Sequence, residues 1–458
     1  MGTIQDRAFE SLREILGDRI TTSGSVLEHH GRDESPLPAS PPDAVAFCRT
    51  EDEIARILPI CARHQVPVIP FGAGTSLEGH ILATRGGLSL DLSEMNQIVD
   101  VRVADLDASV QPGVTRTQLE QRLRRDGLFF PVDPGADATI GGMTATGASG
   151  TTTVRYGAMR ENVLSLRAVL PDGSVISTGT RARKSSAGYD LTHLFVGSEG
   201  TLGVITEITL KIYGIPEAIS GASCHFDSVE RAVEAVIATL QTGIPVARME
   251  FMDDMAMKAM NDYSGTSYPI APSLFFEFHG SGAAVEEDAN SLNEIVSEFG
   301  AMDFRSAMDH AERTKLWKAR HESFYSSLAL RPGARAITTD VCVPISELPR
   351  CIAGSRSDVE ELGVTATTVG HVGDGNFHLL LLVDPDDSTE MRAAEEVNRR
   401  LVERALSVGG TCTGEHGVGV RKIDSLRKEA GEGIRVMRAI KKSLDPEGIM
   451  NPGKVLAD

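Results

Sequence analysis

Residues 70–79 read PFGAGTSLEG, a glycine-rich loop entered from the strand-like stretch VPVI at 66–69. A Rossmann fingerprint needs a helix directly after its glycines, because the helix N-terminus holds the pyrophosphate. Here the glycines run into HILATRGGLSLDL, a second glycine turn followed by a strand. A Walker loop needs Gly-Lys-Ser/Thr, and no lysine follows Gly74 or Gly79. Both common nucleotide folds are therefore disfavoured. Two readings stay open on these residues alone. One is a plain turn between strands. The other is a nest of backbone N–H groups around an anion, with hydroxyls from Thr75 and Ser76.

The second small-residue segment shifts that balance. Residues 132–157, VDPGADATIGGMTATGASGTTTVRYG, are mostly Gly, Ala, Ser or Thr. Such a run lets backbone approach a flat ligand closely. A flexible loop is the alternative, but Val132, Ile140, Met143, Val154 and Tyr156 punctuate the segment as anchors. A phosphate loop plus a flat-ligand cradle points to a dinucleotide bound outside a Rossmann fold.

Composition narrows the partners. The 458-residue chain carries a formal charge of −19, which excludes a nucleic-acid-binding surface as its main feature. No apolar run approaches the ~20 residues of a membrane span. The N-terminal stretch has Phe9, Leu12, Ile15 and Leu16 on one helical face and reads as a surface helix, not a signal peptide. Six scattered cysteines without a CxxC pair indicate neither a disulfide framework nor a zinc ribbon. After Pro216 the texture changes. Helical stretches such as VERAVEAVIATLQTG alternate with strands such as SLFFEFHG and FHLLLLV, predicting a second α+β domain with an antiparallel sheet. The expected domains are 1–215, 216–420 and a C-terminal segment, 421–458, that returns to the first.

A second constellation lies in GHVGDGNFH and TCTGEHGVG. His371 and His378 flank a glycine turn, and Glu415 and His416 sit in another glycine-rich loop. Two imidazoles and one carboxylate form a common catalytic metal set with open positions. Two satisfied core histidines and a solvated carboxylate are the alternative. Arg320, on the helical stretch KLWKARHESFY, reads on its own as a solvated helix charge, and Asn376 as a turn residue.

Taken together, PFGAGTSLEG, VDPGADATIGGM, GSEGTLGVITEITLKI and DPEGIMNPGKV resemble the FAD-linked D-lactate dehydrogenase and glycolate oxidase subunit group. That group belongs to the vanillyl-alcohol oxidase and p-cresol methylhydroxylase superfamily. The resemblance implies an α+β protein: a two-part FAD-binding domain of the p-cresol methylhydroxylase type plus an α+β substrate (cap) domain with an antiparallel sheet. It implies noncovalent FAD, since His80 stands outside the attachment motif. The implied FAD contacts are Pro70, Gly72, Ala73, Gly74, Thr75, Ser76 and Gly79 in the first loop. In the cradle they are Pro134, Gly135, Thr139, Gly142, Met143, Gly147, Ser149, Gly150, Tyr156 and Gly157. Glu199, Gly200, Gly203, Ile205 and Asn451 complete them. It implies a divalent metal, zinc or manganese, on His371, His378 and Glu415. His416 becomes the catalytic base, Arg320 a carboxylate grip and Asn376 a further active-site residue.

The implied reaction is oxidation of a small D-2-hydroxy acid, D-lactate first, with electrons passing to cytochrome c or a quinone. D-2-hydroxyglutarate, glycolate, and a flavin-dependent alkyl transfer are the alternatives within the superfamily. A metallohydrolase on the His/Glu set is the alternative outside it. By the same resemblance, relatives specific for D-2-hydroxyglutarate carry a lysine two residues before the aspartate of TTDVCVP, where this chain has Thr338. A cytoplasmic or mitochondrial-matrix location, peripheral contact with a membrane and a homodimer complete the expectations.

Overall fold

The computed structural model describes residues 4–457. They form two compact units: 1–149, 157–215 and 415–458 make the first, and 150–156 with 216–414 the second. The chain thus returns to the first unit at Glu415, not at 421, and 150–156 leaves the cradle for the second. Hydrogen bonding gives the reason. Gly414 N–H and the Thr413 hydroxyl donate to Asp340 of the second unit, whereas Val418 and Gly419 N–H donate to Glu199 of the first. Arg155 donates to Pro245 O and Tyr156 pairs with His279, both in the second unit.

The first unit contains two main sheets. In one, strands Ala44–Phe47 and Val68–Phe71 lie parallel on either side of Leu88–Asp91. The crossover between the first two is the helix Glu51–His64. A capping box of Thr50 and Glu53 starts it, acidic residues fill its first turn and Arg63 and His64 its last, and Gln65 in left-handed backbone ends it. Ile54, Ile57, Leu58 and Cys61, at helical spacing, form its fully buried face. Each large aliphatic among them contributes about 1.5–3 kcal/mol of burial before chain entropy is counted. The other sheet has five strands, ordered Ile98–Arg102, Asp107–Val110, Val204–Lys211, Val163–Val169 and Val175–Ser177, all antiparallel. Its core runs through Ile140 and Met143 of the cradle.

The second unit is built on one eight-stranded antiparallel sheet. Helices Val229–Gln241, Gly282–Glu298, Leu348–Leu362 and Ser388–Ser407 bury their apolar faces on one side. Strand Asn376–Val383 is buried throughout, which explains its continuous apolar run. Phe377, Leu379, Leu381 and Val383 face those four helices. Side chains alternate across a strand, so His378 and Leu380 point to the opposite face. There Leu380 joins Met252, Phe275, Leu316, Trp317 and Val369. Among the described residues no helix is long and apolar enough to cross a membrane.

Candidate active site

The first unit holds a cleft that gathers three stretches distant in sequence. Pro70 and Gly72 come from the glycine loop, Thr139 and Gly142 from the cradle, and Gly200, Gly203 and Ile205 from the third motif. Phe71, Leu92, Pro112, Gly141 and Ala145 complete its lining. These are small or apolar residues, as a flat aromatic ligand with a phosphate tail requires. Gly72 is fixed sterically, because a Cβ there would collide with Thr139 Oγ1. Thr139 in turn caps the helix Ile140–Thr146 by accepting from Gly142 N–H at 3.2 Å.

The other expected FAD contacts are placed differently. Ser76 donates its one hydroxyl proton to Asp33 at 2.9 Å, and Gly79 N–H donates to the same carboxylate oxygen. The Ser76 hydroxyl thus pins the loop and does not offer its proton to a phosphate. Ala73 and Gly135 are exposed, and Gly74, Thr75 and Pro134 partly so. Met143 is core. Gly147 ends the helix Ile140–Thr146 in left-handed backbone, and Gly157 takes φ of +77°. Ser149 donates to Glu415 at 3.0 Å. Gly150 and Tyr156 belong to the second unit.

Glu199 and Asn451 act as a buttress. Buried Glu199, at φ of +53°, accepts from Val418 and Gly419 N–H at 2.7 and 2.8 Å and faces His80 Nε2 at 3.2 Å. Burial disfavours the charged imidazole, yet the Glu199 carboxylate holds the His80 pKa above its ordinary value. Asn451 donates to the carbonyls of His80 and Glu199. Together they hold the loop that follows His416. Sequence reading missed Glu78, within the quoted loop. It is fully buried, 3.3 Å from Lys422, 3.2 Å from Arg421 and 3.6 Å from His416 Nδ1. Burial alone would raise its carboxyl pKa, but these cations and His416 hold it below the ordinary value. His416 Nε2 lies 3.5 Å from Glu415.

On the second unit, His371 ends strand Thr365–His371 and His378 lies near the start of strand Asn376–Val383. His371 pairs with Asn376 in register, so the two histidines are diagonal neighbours on one face. Their ring centroids are 5.6 Å apart, and a ring nitrogen of each lies within 4.8 Å of the other. His378 Nδ1 bonds the Thr339 carbonyl at 2.9 Å. A carbonyl only accepts, so the proton of His378 sits on Nδ1 and Nε2 carries the lone pair. His371 Nδ1 bonds Glu250 Oε1 at 2.6 Å, with the same result. Burial works against the Glu250 charge, but His371 and Arg320 hold its carboxyl below the ordinary range.

Arg320 is not a solvated helix charge. It is buried, donates Nη2 to Glu250 at 2.5 Å and Nη1 to Ser323 at 3.1 Å. Its Nε is buried without a hydrogen-bond acceptor. Asn376 donates to Asp340 and to the Val341 carbonyl, both at 2.8 Å, while its Oδ1 is buried without a hydrogen-bond donor. An orphaned oxygen beside two lone-pair imidazole nitrogens suits a cation or a hydroxyl. Asp340 also accepts from Thr413 and Gly414, the residue directly before Glu415. Glu250 and Asp340 were missed from sequence. Their signal is a carboxylate inside an otherwise apolar strand stretch, RMEFM and TTDVCV.

Comparisons with known proteins agree with this architecture. Residues 42–179 match the family described as "FAD binding domain", and residues 215–455 match "FAD linked oxidases, C-terminal domain". The chain is 50% identical to the probable D-lactate dehydrogenase, mitochondrial, of Danio rerio, covering 98% of this chain and 92% of that one. It is 45% identical to the D-lactate dehydrogenase [cytochrome], mitochondrial, of Arabidopsis thaliana, over 97% and 79% of the two chains. Identity to the glycolate oxidase subunit GlcD of Bacillus subtilis is 36%, over 98% and 96%. A p-cresol methylhydroxylase structure with substrate bound superposes with TM-score 0.81 at 18% identity, covering 99% of this chain and 97% of that one. An alkyldihydroxyacetonephosphate synthase superposes with TM-score 0.77 at 20% identity, over 98% and 84%. These last two likenesses show the fold alone. The chain is an FAD-dependent oxidoreductase that belongs to the FAD-linked D-lactate dehydrogenase and glycolate oxidase subunit group of the vanillyl-alcohol oxidase and p-cresol methylhydroxylase superfamily.

Proposed function

We propose that this chain oxidises a small D-2-hydroxy acid, D-lactate first, to the 2-keto acid. The proposed cofactors are noncovalent FAD and a divalent metal on His371, His378 and Glu415, with a cytochrome or quinone as electron acceptor. The observation that carries the reading is the pair of imidazoles on one sheet face, each with its proton fixed on Nδ1. Relatives named for D-lactate oxidation with a cytochrome, at 45% and 38% identity, support the substrate and the acceptor class. Zinc, manganese and iron all suit this donor set.

The bound flavin would supply the hydride acceptor, and the bound metal would acidify and orient the substrate hydroxyl. His371 and His378 would offer Nε2, and Glu415 its carboxylate. Asn376 Oδ1 would accept from the substrate or complete the ion's shell. His416 would be the general base. Glu78 lies 3.6 Å from its Nδ1 and Glu415 3.5 Å from its Nε2, and one of these ring nitrogens would take the substrate hydroxyl proton. Arg320 acts through Glu250. Thr338 pairs with Leu380 in register, which puts it on the same sheet face as His378. It would set the substrate size there.

Anaerobic mixing with D-lactate should bleach the flavin absorbance of the purified protein. L-lactate should not, because inverting the carbon while keeping both oxygens bound turns the Cα hydrogen away from the flavin. Equal bleaching by both enantiomers, or by neither, would remove this reading.

A further inference from the structure

Glu250 lies on strand Val246–Met252, next to the strand that carries His371, and its side chain is fully buried. One carboxylate oxygen accepts from His371 Nδ1 at 2.6 Å and the other from Arg320 Nη2 at 2.5 Å. Ser323 Oγ accepts from Arg320 Nη1 at 3.1 Å, while Arg320 Nε is buried without an acceptor. We infer that Glu250 is a positioning residue for the metal centre: it holds His371 by Nδ1 so that Nε2 is presented as ligand, and Arg320 anchors its other carboxylate oxygen. The inference rests on the reading of His371 as a metal ligand.

The chemistry is direct. A neutral imidazole has one N–H, and whichever nitrogen carries it cannot bind a metal. A carboxylate on Nδ1 selects the useful tautomer, orients the ring and makes the ligand more basic. A carboxylate buried without a cation is costly, and a buried guanidinium likewise, so each stabilises the other here. The two histidines are held by different means. His378 is oriented by a backbone carbonyl, which no side-chain substitution removes. His371 Nδ1 is held by the Glu250 side chain. Arg320 therefore influences the metal without touching it.

Glu250→Gln keeps the shape and leaves a single carbonyl oxygen for two partners. Arg320 can only donate, so that oxygen turns to Arg320 and the amide NH2 meets His371 Nδ1. The tautomer then reverses. The test measures zinc affinity of the flavin-loaded protein by competition with a chromophoric chelator, together with flavin content and the melting temperature of the metal-free forms. Glu250→Gln should bind zinc ~10–100-fold more weakly with flavin content unchanged, while its metal-free melting falls because buried Arg320 loses its counter-charge. Glu250→Asp, which keeps charge and both oxygens, should fall between wild type and Glu250→Gln. Wild-type affinity in Glu250→Gln would overturn the inference. So would an equal loss in both variants accompanied by lost flavin, since a disrupted fold would then explain it. A wild-type protein that takes up no zinc would instead fail the functional reading, and the inference with it.

Discussion

His378 and His416 divide the proposed chemistry between a ligand and a base, and their surroundings differ accordingly. His378 sits buried on a strand against a carbonyl, and His416 sits in a loop between two carboxylates. His378→Ala or Glu415→Ala should remove the metal and most turnover while leaving the flavin bound. His416→Ala should keep the metal but slow flavin reduction by about 10² to 10⁴-fold. Metal analysis by emission spectroscopy beside stopped-flow flavin bleaching separates the two. Full activity of metal-free His378→Ala would contradict the ligand role. The histidines were legible in the sequence because they break apolar or glycine-rich stretches. Their partners were not. Glu250 and Asp340 look like isolated charges until the sheet register sets them against His371 and Asn376. Arg320 is the instructive case. On its own it reads as a solvated helix charge, because the carboxylate it pairs with lies 70 residues away.

The element that opens the fold is the 70–79 loop. Its phosphate reading rested on glycines and hydroxyls, and the structure reassigns part of that set. Asp33 anchors the loop through the Ser76 hydroxyl and Gly79 N–H. Gly74 takes φ of +70°, and a Cβ there would sit 3.1 Å from the Phe71 ring. Gly74→Val should therefore strain the loop before any ligand arrives, since a β-branched residue resists left-handed backbone. The expected result is a purified variant with flavin content well below wild type and lower melting even without flavin. Absorbance ratios and differential scanning fluorimetry check it, and a fully loaded variant of wild-type stability would contradict it. The helix in VERAVEAVIATLQTG and the strands SLFFEFHG and FHLLLLV were readable, because helical spacing and short apolar runs report burial. The helix Ile140–Thr146 was not, since Gly and Thr are poor helix formers. Its Thr139 cap and the burial of Ile140 and Met143 override propensity.

At the scale of the whole molecule, the chain leaves the first unit twice and returns to it, which composition could show only as a change of texture after Pro216. The handover at 414–415 was set six residues late because it depends on which carboxylate, Asp340 or Glu199, takes each N–H of one glycine-rich loop. We propose that the sheet face of the second unit that carries His371 and His378 admits a small monocarboxylate. Thr338 lies on that face and carries no charge. An ionised second carboxylate buried beside it would lack a partner, which is unfavourable. The most direct measurement is kcat/KM for D-lactate and for D-2-hydroxyglutarate, with a dye acceptor, in wild type and in Thr338→Lys. D-lactate should be the better substrate of the wild type, and the gap should narrow in the variant. A wild-type preference for D-2-hydroxyglutarate would contradict the account.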